Sequence, residues 1–397
     1  MATHGRHSLF RVPDPAHHLY RSMTADRPDG RDPSESQIVH RYLGDQAPDD
    51  MSRRTAMIRG ALRREQKRRF GRYQKALLVL AVVAVAVSGY AYLQHRRVER
   101  AKGVAQDLFY AMKALELEVG RLQLTADERA SYRARQADLA RQYHGYLEDL
   151  GVYGRGTPKE IQVIYRVVHR FGESEINVPE EFVQEVRRFI RRWRDSGRLT
   201  TSLARATEHA YGPRIAEIML ANDLPPEFFY VALQESDLKT EAVGRPTRFG
   251  IAKGMWQFMP ETGRAYGLRI GPLVGQPRAD PADDRHDFEK STAAAARYLK
   301  DIYSTDAQAS GLLVIASYNW GQSNVLRLIR AMPENPRERN FWRLLSTYRD
   351  RIPRETYNYV LAIVSAAVIA EQPDLFGFAV TPPLPAGGAA SSVADGP

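Results

Sequence analysis

Residues 226–236 read Pro226-Glu227-Phe228-Phe229-Tyr230-Val231-Ala232-Leu233-Gln234-Glu235-Ser236, an apolar run that ends on a carboxylate. With Pro226 opening a helix, Phe228, Val231, Ala232 and Glu235 recur at i, i+3, i+4 and i+7, so the carboxylate shares a face with core residues. Desolvation disfavours the ionised form of a carboxyl and raises its pKa. The spacing therefore predicts an acid that keeps its proton near neutral pH, which is what a general acid requires. The competing reading is a helix-end Glu that reaches solvent, and motifs further along the chain weigh against it.

Two of these lie downstream: Gly254-Met255-Trp256-Gln257-Phe258-Met259-Pro260 and Ala316-Ser317-Tyr318-Asn319-Trp320-Gly321. The stretch Gly311 to Tyr318 is apolar all round, which predicts a buried helix carrying Tyr318 and Asn319 into the interior. Buried polar groups need partners. The partners available are each other, Glu235 and a polar ligand.

Together these residues resemble the soluble-lytic-transglycosylase domain, most closely that of the membrane-bound lytic murein transglycosylase D type, over roughly Tyr211 to Gly377. The family pattern is a Glu-Ser pair, a Gly-(Leu/Met/Ile)-(Met/Trp)-Gln word with Pro soon after, a Tyr-Asn pair with Gly nearby, and Glu-Thr followed by Tyr-Val. This chain supplies Glu235-Ser236, Gly254 to Gln257 with Pro260, Tyr318-Asn319 with Gly321, and Glu355-Thr356 with Tyr359-Val360, in that order. There are two departures. Ser317 stands where the family usually has Ala, and the loop Asp237 to Lys253, with Arg245 and Arg248, is slightly long.

The resemblance implies an all-α, lysozyme-like domain that cleaves peptidoglycan between N-acetylmuramic acid and N-acetylglucosamine without water, leaving 1,6-anhydromuramoyl ends. It implies Glu235 as the catalytic acid and then base. Ser236, Gln257, Tyr318, Asn319 and Tyr359 would orient the acid and the sugars, while Met255, Trp256 and Phe258 would line the cleft, core packing being the alternative for the aromatics. Ordinary glycosidases use two carboxylates. Here Asp237 faces elsewhere, and Asp280, Asp283, Asp284 and Asp287 lie outside the motifs, which suits a one-carboxylate reaction. No cofactor or metal is implied. The rivals are a hydrolytic muramidase and a non-catalytic peptidoglycan-binding scaffold.

The 397 residues allow several domains. The chain has no cysteine, which excludes disulfides, thiolate metal sites, a Cys nucleophile and a lipid-modified N-terminal Cys. Of the net charge of +10, most falls in residues 1–75, with 16 Lys/Arg against 9 Asp/Glu. That segment is rich in Pro, Asp and Ser and reads as disordered, apart from a short basic helix over Met57 to Arg69, so nucleic-acid binding is not expected. Ala76 to Leu93 has no charge over 18 residues, about 27 Å of helix, and reads as a single transmembrane helix. Seven Lys/Arg from Arg63 to Lys75 precede it and four from Arg96 to Lys102 follow, which predicts an inner-membrane protein with a cytoplasmic N-terminus and a periplasmic catalytic domain. The type-D enzymes usually carry a lipid anchor and sugar-binding repeats; neither is visible, so attachment falls to this helix.

Residues 94–152 read as a helical stalk or hairpin. The seam Val104, Leu108, Met112, Leu115, Val119 and Leu122 is expected to pair with Tyr132 to Leu150 or with a second copy as a homodimer. A helical linker domain follows over 153–202, with a capping box at Thr157 to Glu160 and a basic helix opened by Pro179. The catalytic domain is expected over 203–378 and a disordered tail over 379–397.

Overall fold

The computed structural model describes residues 51–121 and 125–385. The unstructured ends expected from the sequence thus fall outside the described residues over 1–50 and 386–397. Residues 51–75, by contrast, are helical, part of α1, Met51–Arg121. Ala, Met, Leu, Arg, Lys, Gln and Glu fill most of that stretch, and their helix propensity extends the helix well beyond Met57 to Arg69.

The chain divides into two units, up to His95 and from Arg96 onward. In the first, Leu77, Leu78, Val79, Leu80, Val82 and Val83 are all exposed. The helix contains an 18-residue window of mean hydropathy 2.3, none of it buried, and among the described residues it is the one helix long and apolar enough to cross a membrane. A soluble core helix would bury such a stripe.

The second unit begins with the end of α1 and with α2, Ala126–Asp149, whose first turn is closed by a reciprocal cap between Thr125 and Glu128. Ala105, Phe109 and Tyr110 of α1 pack against Tyr143 and Leu147 of α2. The seam is thus used inside the chain, and it is rotated from the expected one, since Val104 is 40% exposed. The rotation has a cause: Gln106 and Tyr110 reach Asn177 at 2.5 and 3.2 Å, and Tyr110 also accepts from Asn340 at 3.2 Å, so this face serves two neighbours instead of one. A homodimer through the same seam would lack the apolar face it requires.

Next come α3, Lys159–Arg170, α4, Glu180–Ser196, α5, Arg198–Glu208, and α6, Tyr211–Ala221. The Thr157 hydroxyl turns back to the Gly151 carbonyl at 3.0 Å, so it does not cap α3 as the sequence suggested. On α4 the Phe182, Val186, Ile190 and Trp193 face is buried as expected. A single apolar core runs from Val163 to Phe378, so residues 153–202 are not a separate linker domain.

The remaining elements are α7, Phe229–Ser236, the strands β1, Val243–Thr247, and β2, Gly250–Lys253, then α8, Pro260–Ala265, and α9, Phe288–Tyr303. They are followed by α10, Gly311–Trp320, α11, Gln322–Ile329, α12, Phe341–Tyr348, and α13, Arg354–Glu371. The antiparallel β1–β2 hairpin occupies the long loop and adds a small sheet where none was expected. Gly244, Pro246 and a register shift deprive it of the alternating pattern by which strands are recognised. Helix α13 is buried from Tyr359 to Ala370 and packs against α3, α4, α7 and α10, which makes it the axis of the domain. The expected tail also starts later than 379: Val380 and Leu384 pack on the core, and the Pro383 carbonyl approaches Gly212 so closely that a Cβ there would lie 1.9 Å away.

Candidate active site

Helix α7 is short because both of its ends are set by backbone chemistry. Pro225 and Pro226 lead into a 3-10 turn, Pro226–Phe228, and Asp237 and Leu238 take left-handed conformations with φ of 57° and 60°. A helix cannot continue through two such residues. Arg198 holds this stop by pairing with the Asp237 carboxylate and donating to the Gln234 carbonyl at 3.0 Å. Glu235 therefore lies in the last turn, packed from below by an apolar helix and half-buried at the surface of the core.

Three other helices bring phenols to it. The Tyr359 hydroxyl, from α13, donates to Glu235 Oε1 at 2.6 Å. Tyr318, from α10, donates to the Trp256 carbonyl at 2.8 Å, and its ring lies 5.2 Å from that of Tyr298 on α9. Desolvation raises the Glu235 carboxyl to about 7, against the smaller opposing pull of the Tyr359 hydrogen bond. Burial first, and then the Glu235 charge, push the Tyr318 and Tyr359 phenols well above their usual range. These tyrosines stay neutral and can only donate or accept hydrogen bonds.

The other expected residues divide into two groups. Ser236, Met255, Trp256 and Phe258 are buried in the core and do not line the cleft. The Ser236 hydroxyl donates to the Met255 carbonyl at 2.8 Å and accepts from Lys239 N at 3.2 Å, so it ties α7 to the motif loop. The Trp256 indole donates to Thr292 at 3.0 Å. Gln257 and Asn319 are partly exposed: Gln257, at φ 50°, donates to the Gly254 carbonyl at 2.8 Å, and Asn319 accepts from Thr356 at 2.9 Å. A four-residue word inside a loop has no periodicity, so sequence cannot tell its inward side chains from its outward ones.

The loop needs Gly at 254, where φ is +80° and a Cβ would lie 1.6 Å from the Arg285 carbonyl oxygen. Arg285 is fully buried; it pairs with Asp283 at 2.7 Å and donates to the carbonyls of Ile251 and Phe258 at 2.8 and 3.0 Å, bracing both ends of the motif. Sequence reasoning missed this pair and Tyr298. The signal for Tyr298 was its place just after the small buried residues Ala294, Ala295 and Ala296 of α9. Ser317 is fully buried, and its hydroxyl has no hydrogen-bond partner among the described residues.

The neighbouring carboxylates are engaged elsewhere. Asp237 pairs with Arg198, Asp280 accepts from Leu273 N and Ala282 N, Asp284 from Arg269 N, and Asp287 caps α9. Glu355 is the exception: it lines a groove of about 660 Å³ that also contains Gln234, Asn319 and Tyr359.

Residues 215–341 match the family model described as transglycosylase SLT domain. The chain is 27% identical over 163 residues to the membrane-bound lytic murein transglycosylase D of Escherichia coli strain K12, and equally to that of Escherichia coli O6:H1. The match takes in 41% of this chain but 32% of the relatives, so the chain spans about a third of their length. Among solved structures, an inactive mutant of the lytic transglycosylase Slt from Pseudomonas aeruginosa aligns at 17% identity with a TM-score of 0.31, covering 72% of this chain and 53% of that one. Residues 215–341 of this helical chain are thus similar to a transglycosylase SLT domain, and α13 with Tyr359 lies just beyond the matched segment.

Proposed function

We propose that this chain is a peptidoglycan lytic transglycosylase acting on the β-1,4 bond between N-acetylmuramic acid and N-acetylglucosamine. Protonated Glu235 gives its proton to the glycosidic oxygen as the bond to the muramoyl C1 breaks. The resulting carboxylate takes the proton of the muramoyl C6 hydroxyl, whose oxygen closes on C1. The products are a 1,6-anhydromuramoyl end and a free N-acetylglucosamine hydroxyl, and no water is consumed. Tyr359 positions the carboxyl, and Gln257, Tyr318 and Asn319 present hydrogen-bonding groups to the N-acetylated sugars.

The observation that carries this reading is a single carboxyl, raised to about 7 by desolvation, held by one phenol on the surface of the motif-bearing core. A pKa near the working pH suits a group that must both give and take a proton. Digestion of purified peptidoglycan in ¹⁸O-labelled water, read by mass spectrometry, tests it. Anhydro ends without label are expected. Labelled reducing ends would make the protein a hydrolytic muramidase, with Glu355 as the second carboxylate to examine, and no products would leave a wall-binding scaffold.

The exposed apolar stretch of α1 anchors the chain as a single-pass inner-membrane protein with its basic N-terminal side cytoplasmic and its catalytic domain periplasmic, a reading supported by the Lys/Arg excess before residue 76. Reporter fusions at residue 70 and at the C-terminus test the orientation, and a cytoplasmic C-terminal signal would refute it.

A further inference from the structure

The groove beside Tyr359 and Asn319 extends away from the matched domain, and its far wall belongs to α4, which lies outside residues 215–341. Three arginines face it: Arg192 of α4, Arg198 at the start of α5 and Arg354 in the first turn of α13. Arg198 is neutralised by Asp237. Arg192 and Arg354 form no ion pair among the described residues, although Arg192 is held in place with its guanidinium 4.6 Å above the Phe189 ring. Glu355 offsets one of these charges, so the groove keeps a positive surplus next to the acid's hydrogen-bond partner.

A glycan strand whose muramoyl lactyl groups are all amide-linked to stems has no formal charge of its own to meet that surplus. The short peptides carried on its muramoyl lactyl groups do, because they end in free carboxylates. A guanidinium binds a carboxylate through two parallel N–H···O bonds, which gives orientation as well as attraction. We infer that Arg192 and Arg354 form a subsite for the stem-peptide carboxylates of peptidoglycan, so that the helices before the SLT domain select strands that still carry stems. The substrate class rests on the transglycosylase reading; the groove's charge and its continuity with Asn319 and Tyr359 do not.

The test compares intact peptidoglycan sacculi with the same sacculi whose free carboxylates have been converted to amides with carbodiimide and ammonia, using full-length protein in detergent. Retention by each is measured for the wild type, for the double variant Arg192→Ala/Arg354→Ala, and for a charge-matched control, Arg155→Ala/Arg191→Ala, whose positions lie outside the groove. The wild type and the control should bind intact sacculi more tightly, and the groove variant should lose that preference, with affinity for intact sacculi falling roughly threefold to tenfold, as expected for two exposed charge pairs. Raising the salt concentration should erode the wild-type preference, since exposed charge pairs are screened. Equal wild-type binding to both sacculi, or a groove variant that keeps the preference, would overturn the subsite. Product formation, followed in the same samples, reports separately on the transglycosylase reading: a preference for intact sacculi without products would sink that reading alone.

Discussion

Glu235 and Glu175 are the same residue, each desolvated by the core, yet their protons are set in opposite directions. Glu175 is 3% exposed where the α1–α2 hairpin meets the body. Burial pushes its carboxyl up, but His169, with Nδ1 3.1 Å away, and the hydroxyls of Tyr143 at 2.5 Å and Tyr153 at 2.9 Å surround it, and the carboxyl ends below the usual range. Glu235 has one phenol and no imidazole beside it, and desolvation carries it to about 7. Glu173 shows which ingredient matters most. It too accepts from neutral donors, Phe341 N at 2.9 Å and Ser310, and it too is raised to about 7 by desolvation. For Glu173 these neutral donors and the more distant Lys113 charge do not outweigh burial, whereas the imidazole and phenols packed directly around Glu175 do. Glu175, which ties the hairpin to the body, has been given partners, and Glu235, the proposed acid, has been left short of them.

The largest effect expected from this contrast is on turnover. Glu235→Gln keeps the side chain's shape but removes proton transfer, and peptidoglycan cleavage should fall by about 10²- to 10⁴-fold or more, with circular dichroism unchanged. Near wild-type turnover would break the assignment. Removing the other carboxylate should act on stability instead. Glu175→Ala leaves two phenols and an imidazole facing a hole, which should cost about 3 kcal/mol in denaturant unfolding, and a neutral result would show that Glu175 is not a buried anchor.

Tyr359→Phe sharpens the comparison by stripping Glu235 of its last donor. That bond lowers the carboxyl's pKa, so its loss should shift the alkaline limb of the pH–rate profile upward and reduce turnover roughly tenfold through lost positioning. A limb that moves down would contradict the hydrogen-bond assignment. Asp237→Asn should do least. Its backbone already sits at φ 57°, which Asn tolerates, and the pair it makes with Arg198 is partly exposed, so a change within about 1 kcal/mol and retained turnover are expected.

How far the sequence reached follows from what each kind of pattern encodes. The apolar face of α7 and the all-apolar α10 were legible because helical periodicity reports burial directly, and the same rule placed Trp193 inside α4, where its indole donates to Ser365 at 2.9 Å. Motif order, carried by the resemblance, singled out Tyr359 124 residues after Glu235, a pairing that no local pattern shows. Three features were out of reach. The motif loop buries Met255, Trp256 and Phe258 because Arg285 pulls both its ends inward, and a buried arginine reads in sequence as a surface residue. The β1–β2 hairpin is too short and too rich in Gly and Pro to alternate. The hairpin face of α1 rotated because Asn177 and Asn340, far along the chain, compete for it.

Glu235 is expected to carry a proton in the folded protein near neutral pH, and the pH dependence of stability reads that proton without substrate. Raised from 4.5 to about 7, the folded carboxyl binds more protons than the unfolded one between those values. The stability this contributes is complete below 4.5 and is lost as pH rises through 7. Glu235→Gln has no such proton to lose. Denaturant unfolding of the full chain in detergent, wild type against Glu235→Gln from pH 4 to 8.5, should give equal pH dependence at the acid end and a growing advantage for the variant above pH 5, reaching up to about 3 kcal/mol by pH 8. A difference that stays flat across this range, or one that favours the wild type as pH rises, would mean that Glu235 is ionised in the folded state and is not the acid.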